Sequence, residues 1–344
     1  MGKTATPALI ISAIAASLSM SAPNASAQPA DQFFKGKNVT IAIGFSAGGT
    51  YDLFGRLVAR HMGKHIPGNP TVIGQSMPGA GSFVAANWLY AVAPKDGTAM
   101  AIVSQTIAME EALKNKGVRY KSAEFNWIGR ATSNNEIQVF WHTSKGTTVE
   151  GAKTEAVPVA STGPGSPSET YPKLLNALIG TKYKLIRGYT GSTAGLLAME
   201  RGEVDGALTS WNTMKTTRKA QLDEKKAFIA IQYLLKRSPD LPDVPAVIEL
   251  ATSDADRQLL TFAAASGDIG RAFIAPPGLA PQRVKILRDA FDATMKDPEL
   301  LNEVNKAQLD FEPAPASELE RLVKVTLATP PELIERMEKI LAAD

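Results

Sequence analysis

The sequence predicts an α/β protein of two lobes, each built on a parallel sheet, with a helical C-terminal tail. Three observations carry this. Strand, glycine-rich turn, helix and strand follow one another twice between residues 39 and 103. The same succession returns between residues 157 and 209. Beyond Val284 the apolar residues recur at helical spacing. A length of 344 residues suits about two domains.

Residues 39–45 read as a short apolar strand running into Ser46-Ala47-Gly48-Gly49. Residues 51–64 follow as a helix, with Leu53, Phe54, Leu57, Val58 and Met62 on one face and Arg56, Arg60 and Lys64 on another. Pro67 and Pro70 end it. Residues 71–74 form a second strand, and Pro78-Gly79-Ala80-Gly81 leads into a helix carrying Phe83, Ala86, Trp88 and Leu89. A turn at Pro94-Lys95-Asp96-Gly97 precedes a strand at 99–103, which ends at Ser104-Gln105. Right-handed crossovers of this kind make a parallel sheet.

A second block begins after Trp127. Residues 136–142 and 157–160 read as strands, followed by Ser161-Thr162-Gly163-Pro164-Gly165-Ser166 and a helix with Tyr171, Leu174, Leu175 and Leu178. Strands at 185–189 and 204–209 flank a helix at 194–201, and the latter strand ends at Ser210-Trp211-Asn212. Residues 228–233 and 273–275 add two more strands. The tail then carries Val284, Leu287, Phe291 and Met295 on one helix face, followed by three amphipathic segments.

Composition narrows the function. Thirty-seven Lys and Arg against 34 Asp and Glu leave a net charge of +3, too small to imply nucleic acid. The absence of cysteine excludes disulfides, thiolate metal sites and cysteine nucleophiles, and three histidines leave little for general-base catalysis. Near the N-terminus, Lys3, an apolar stretch at 8–18 and the ending Asn24-Ala25-Ser26-Ala27 have the order of a secretory signal, cleaved after Ala27. The apolar run falls short of the roughly 18 residues that a membrane span needs. The expectation is a soluble, exported protein.

Gly44-Phe45-Ser46-Ala47-Gly48 matches the G-x-S-x-G nucleophile elbow between strand and helix. A serine hydrolase of that fold needs its histidine late in the chain, and none follows His142. The same loop has a simpler use. Gly48 and Gly49 let the backbone approach a ligand, and the helix behind them aims unpaired N–H groups at an anion, with Ser46 and Thr50 as added donors. Gly79-Ala80-Gly81-Ser82 and the loop from Ser161 to Ser166 have the same character. Three such loops at strand ends, split between two lobes, describe a crevice for a carboxylate or phosphate. No nucleotide fingerprint or P-loop occurs. His61 and His65 read as a surface helix face rather than a metal pair, since no H-E-x-x-H pattern surrounds them. Trp211 follows a strand end where ligands gather, Asp52 and Arg56 are spaced to pair with each other, and Arg187 is a candidate to reinforce an anion site.

Seven stretches in order resemble the periplasmic solute-binding proteins of the tripartite tricarboxylate transporters, the Bug receptors. They are Phe45-Ser46-Ala47-Gly48-Gly49-Thr50-Tyr51-Asp52 with Arg56, Pro78-Gly79-Ala80-Gly81-Ser82, Ala93-Pro94-Lys95-Asp96-Gly97-Thr98, and the loop from Ser161 to Ser166; then Gly202-Glu203-Val204-Asp205-Gly206, Arg237-Ser238-Pro239-Asp240-Leu241-Pro242-Asp243-Val244-Pro245 and Ala275-Pro276-Pro277-Gly278. The resemblance implies a Venus-flytrap fold, with residues 36–135 and 268–344 in the first lobe, 136–267 in the second and a ligand clamped between them. It also implies that N–H groups of Ser46, Ala47, Gly48, Gly49 and Thr50, and of Ser161, Thr162, Gly163, Gly165 and Ser166, hold a ligand carboxylate without a salt bridge. Tyr51, Gly79, Ala80, Gly81, Ser104 and Gln105 would complete the first wall, and Tyr189, Ser210, Trp211 and Asn212 the second. The chain departs from the family at Ser46, where proline is usual, at bulky Tyr51, in the proline-rich loop with Pro164 and Pro167, and at Thr190-Gly191-Ser192-Thr193. The implied function is a monomeric periplasmic receptor, without metal or cofactor, delivering a small carboxylate to integral membrane permease subunits. The alternatives are a sensor-coupled metabolite receptor and a secreted hydrolase using Ser46.

Overall fold

The computed structural model describes residues 1–2 and 30–342, so the signal segment at 1–27 lies outside the described residues apart from its first two. In chain order the first lobe opens with α1 (Ala30–Phe33), β1 (Asn38–Ile43), α2 (Thr50–Met62), β2 (Thr71–Ser76), α3 (Phe83–Ala91), β3 (Ala99–Ile102), α4 (Ile107–Ala112) and β4 (Asn126–Arg130). The chain then crosses into β5 (Glu136–Trp141), β6 (Val157–Ser161), α5 (Pro167–Ile179), β7 (Tyr183–Arg187), α6 (Ser192–Glu200), β8 (Gly206–Ser210), α7 (Trp211–Thr217), α8 (Lys219–Asp223), β9 (Ala227–Gln232) and α9 (Asp254–Ala265). It returns through β10 (Ala272–Ala275), α10 (Pro281–Thr294), α11 (Pro298–Lys306), β11 (Ala314–Pro315), α12 (Ala316–Leu327) and α13 (Pro331–Ala342).

The strands form two sheets, in the orders β11-β4-β10-β3-β1-β2 and β7-β6-β8-β5-β9. Each has the expected parallel core: β3-β1-β2 in one, β7-β6-β8 in the other. Each is extended by antiparallel strands, β10, β4 and β11 on the first sheet and β5 and β9 on the second. The antiparallel additions follow from the double crossing, because β5 enters, and β10 re-enters, from the opposite end of the sheet.

Period-two alternation sorts the core of the first lobe into two layers. Ile41, Ile43 and Phe273 face Phe54, Val58, Leu287 and Phe291, while Ala42 and Ile274 face Ala86, Leu89, Trp127 and Leu319. The second lobe repeats the device, with Val159 in the layer of Tyr171, Leu174 and Leu175, and Ala160 in that of Leu196 and Met199. The tail is helical, but not all of it stays with the first lobe. α12 packs on β4 and α4, whereas α13 buries Ile334 and Met337 in the second lobe's core beside α5 and α9. Arg336 pairs with Asp256 there. The expectation that 268–344 belong to one lobe therefore stops short of this last helix. Among the described residues, no helix is long and apolar enough to cross a membrane.

Candidate functional site

The carboxyl ends of β1, β6, β7 and β8 all run into loops that open helices, and the four loops meet between the lobes. There they enclose a cavity of about 50 Å³. Gly49 and Thr50 at the start of α2, Pro167 and Ser168 at the start of α5, Gly191 and Ser192 at the start of α6, and Ser210 capping α7 all line it. The starts of α2 and α6 turn unpaired N–H groups and a partial positive charge toward it, whereas at α7 the Trp211 N–H goes to the Asn135 carbonyl and the Thr213 N–H to the Ser210 hydroxyl, so the cavity is suited to an anion chiefly from α2 and α6.

The lobes touch across this cavity. The Ser46 N–H donates to the Thr190 carbonyl at 3.2 Å, the Gly81 N–H to the Thr162 carbonyl at 3.3 Å, and the Thr106 hydroxyl to the Gly165 carbonyl at 2.7 Å. The hydroxyls of Thr50 and Ser210 lie 3.2 Å apart. Glycine makes this approach possible at two points. A Cβ on Gly81 would stand 2.9 Å from the Pro164 carbonyl oxygen, and one on Gly165 would stand 2.1 Å from the Phe83 ring. Both residues also hold a positive φ that side chains disfavour. The protein is in a closed state.

The floor is made by the two crossing segments. Arg271, just before β10, is 2% exposed and lines the cavity. Its guanidinium donates to the Thr50 hydroxyl at 2.8 Å, the Asn134 side-chain oxygen at 2.7 Å and the Gln105 side-chain oxygen at 3.3 Å. It also lies over the Tyr51 ring, 3.9 Å from its centre. Tyr51 stacks on Phe45 at 4.5 Å and accepts the Gln105 N–H at 3.0 Å through its hydroxyl, which burial pushes up and Arg271 pulls down. Glu136, the first residue of β5, is 6% exposed and lines the same cavity. Burial pushes its carboxyl up to about 7, against the opposing pull of Arg271 and Asn134. Its Oε2 has no hydrogen-bond partner among the described residues.

Of the residues singled out in the sequence, Ser46, Gly49, Thr50, Tyr51, Thr162 and Ser210 line the cavity. Others support those that do. Gln105 steadies Arg271 and Tyr51, and the Ser104 N–H donates to the Ser82 hydroxyl at 3.0 Å. Gly79 and Ala80 sit beside Gly81, and Ala80 is exposed. Ala47 and Gly48 are exposed as well, and the Gly48 N–H goes to Asp52 at 3.1 Å, with Asp52 paired to Arg56 at 2.7 Å.

The second-lobe loop is largely self-satisfied. The Thr162 N–H is held by Ser168, the Gly163 N–H by the Ser161 hydroxyl and the Ser166 N–H by the Gly163 carbonyl. Those amides are therefore bound within the loop rather than turned to a ligand, and Gly165 serves the lobe contact. Tyr189 lies beyond the end of β7 and packs on the second lobe's core. The Trp211 indole donates to Asp240 at 2.7 Å, and Asn212 accepts the Asp310 N–H at 2.7 Å, so both point away from the cavity lining. Arg187 forms a forked pair with Glu169 at 3.0 and 2.8 Å, outside the lining. His61 and His65 take separate partners, Glu303 at 2.8 Å and Asp297 at 2.7 Å. His61, Asp297 and Glu299 come close enough to surround an ion, but the Lys64 ammonium already lies 2.8 Å from Asp297 and 2.7 Å from Glu299.

Sequence reasoning missed Glu136, Arg271, Ser168, Ser192 and Thr209 on the lining. The arginine on this lining is Arg271, not the Arg187 that the sequence offered as a candidate. Its one sequence signal is a place directly before a short apolar strand, which many surface arginines share.

Residues 54–339 match the family described as the tripartite tricarboxylate transporter family receptor. No curated protein matches the sequence. Among solved structures, the periplasmic binding protein BugD is 21% identical, with a TM-score of 0.68 over 89% of this chain and 98% of its own. MatC from Rhodopseudomonas palustris, with bound malate, is 21% identical, with a TM-score of 0.67 over 90% of this chain and 100% of its own. A second R. palustris protein, with adipate, is 17% identical, with a TM-score of 0.67 over 88% and 98%.

Proposed function

The chain belongs to the tripartite tricarboxylate transporter receptor family, and on that premise we propose that it binds a small organic carboxylate in the cavity between its lobes. The observation that carries the reading is Arg271: a buried cation beside the N-terminus of α2, in a cavity lined by both lobes and facing the start of α6. The malate and adipate held by the two R. palustris proteins, which share the fold, support the same ligand class.

Ligand binding is a matter of lobe closure. A carboxylate entering the open cleft meets Thr50 and Arg271 on the first lobe, and contacts with Ser192, Ser168 and Ser210 then stabilise the closed state. The receptor is periplasmic and monomeric, exported by its signal segment, and hands its ligand to membrane permease subunits of a tripartite transporter. On this reading the chain binds its ligand rather than turning it over, which its membership of a receptor family supports.

A thermal-shift screen with mono-, di- and tricarboxylates and neutral sugars tests this. A ligand at about 100 times its dissociation constant adds roughly 2.7 kcal/mol of stability. Silence from every acid together with a response to a neutral solute refutes the carboxylate reading.

A further inference from the structure

We propose that the cavity is built for an amino carboxylate, whose carboxylate lies toward Arg271 and the helix ends and whose ammonium group lies against Glu136. The inference rests on the cavity being the ligand site and goes beyond that reading by naming the second recognised group. A charged carboxyl side chain in a site shaped for an anion disfavours a purely anionic ligand, which it could meet only in its protonated form. The charged form would bring like charges together in a desolvated space, where the repulsion is strong.

Glu136 is not the private partner of Arg271. The Arg271 guanidinium is held by Thr50, Asn134 and Gln105, while the Glu136 Oε2 is buried without a hydrogen-bond partner among the described residues. A second acceptor on the lining, the Thr209 hydroxyl oxygen, is likewise buried without one. Buried acceptors left unmet are costly, and a ligand that carries donors removes that cost. An ammonium supplies three N–H donors and a positive charge, whereas a plain acid supplies neither. The raised Glu136 carboxyl fits the same arrangement, since a cation placed beside it restores the charged form. With Arg271 and Glu136 both on the lining, it offers the two signs of charge that a zwitterion carries.

The test compares probes that differ at one substituent: succinate, L-malate and L-aspartate, and propionate, L-lactate and L-alanine, titrated calorimetrically into the full mature protein. A thermal-shift panel of the proteinogenic amino acids against their des-amino counterparts covers longer side chains. The amino member of a matched set is expected to bind about tenfold to a hundredfold tighter than the unsubstituted acid, the usual size of a charge-assisted contact. Glu136→Gln is expected to remove that preference while leaving or improving the affinity for the unsubstituted acid. Equal or stronger binding of the unsubstituted acids to the wild-type protein overturns the inference while leaving the carboxylate reading intact, and so does a preference that survives in Glu136→Gln. Silence from every acid, amino or not, overturns both.

Discussion

Glu136 gives the sharpest test on the empty protein. Its carboxyl rises from an ordinary 4.5 to about 7 because burial penalises the charged form. That difference corresponds to about 3 kcal/mol between the two protonation states. The native state holds its proton more tightly than the unfolded chain, so stability from this group is complete below about pH 4.5 and is lost as pH rises through 7. Glu136→Gln keeps the shape and removes the charge. The variant should therefore gain on the wild type as pH increases, reaching about 3 kcal/mol, or roughly 5 °C in melting temperature, by pH 8. Thermal and urea melts at half-unit steps from pH 4.5 to 8.5, without ligand, measure this. Glu110, also buried and raised to about 7, contributes the same slope to both proteins and cancels in the difference. A stability difference that stays flat across this range, or shrinks above pH 7, refutes the account of Glu136 as a desolvated acid.

Three further outcomes follow from the same geometry. Arg271→Met should weaken a carboxylate ligand by about tenfold to a hundredfold and cost about 1–3 kcal/mol of stability, because the Asn134, Gln105 and Thr50 oxygens lose their donor; unchanged affinity by calorimetry places the anion elsewhere. Gly191 has an extended backbone, but a Cβ there would lie 2.5 Å from the Ser46 Oγ. Gly191→Ala should thus leave the melting temperature nearly unchanged while lowering ligand affinity and enlarging the scattering radius; a radius equal to the wild type's contradicts the closure reading. Hydrolysis of p-nitrophenyl esters should be no faster with the wild-type protein than with Ser46→Ala, and a rate that falls on substitution revives the hydrolase.

What the sequence revealed was local. The strand–turn–helix units of both lobes follow from short-range apolar spacing, and the ligand-facing starts of α2 and α7 from small and hydroxyl residues beside strand ends. The cavity floor depends on contacts of another kind. Arg271 meets Asn134 because the two crossing segments lie side by side, and it meets Thr50 and Gln105 from positions far apart in the chain. Pattern reasoning also placed the end of β7 at Tyr189, two residues too far, since the chain turns at Gly188 with φ of 113°. It passed over α4 and α9 and set the second block's start inside β4, because β4 takes its partners from β10 and β11 rather than from its neighbours in sequence. In the loop from Ser161 to Ser166, the hydroxyls that looked like ligand donors serve instead to fix the loop's own amides.

The last helix changes the mechanics of the pair of lobes. With α12 seated on one lobe and α13 on the other, the short link Ala328-Thr329-Pro330 is a third tie, added to the passages at 131–135 and 266–271. Two neighbouring ties leave one body free both to swing and to swivel on the other. A third tie of three residues spans at most about 10 Å when fully extended, which limits the swivel. If the lobes part to admit a ligand as proposed, this link confines them to a guided arc that would return Arg271, Thr50 and Ser210 to the same register.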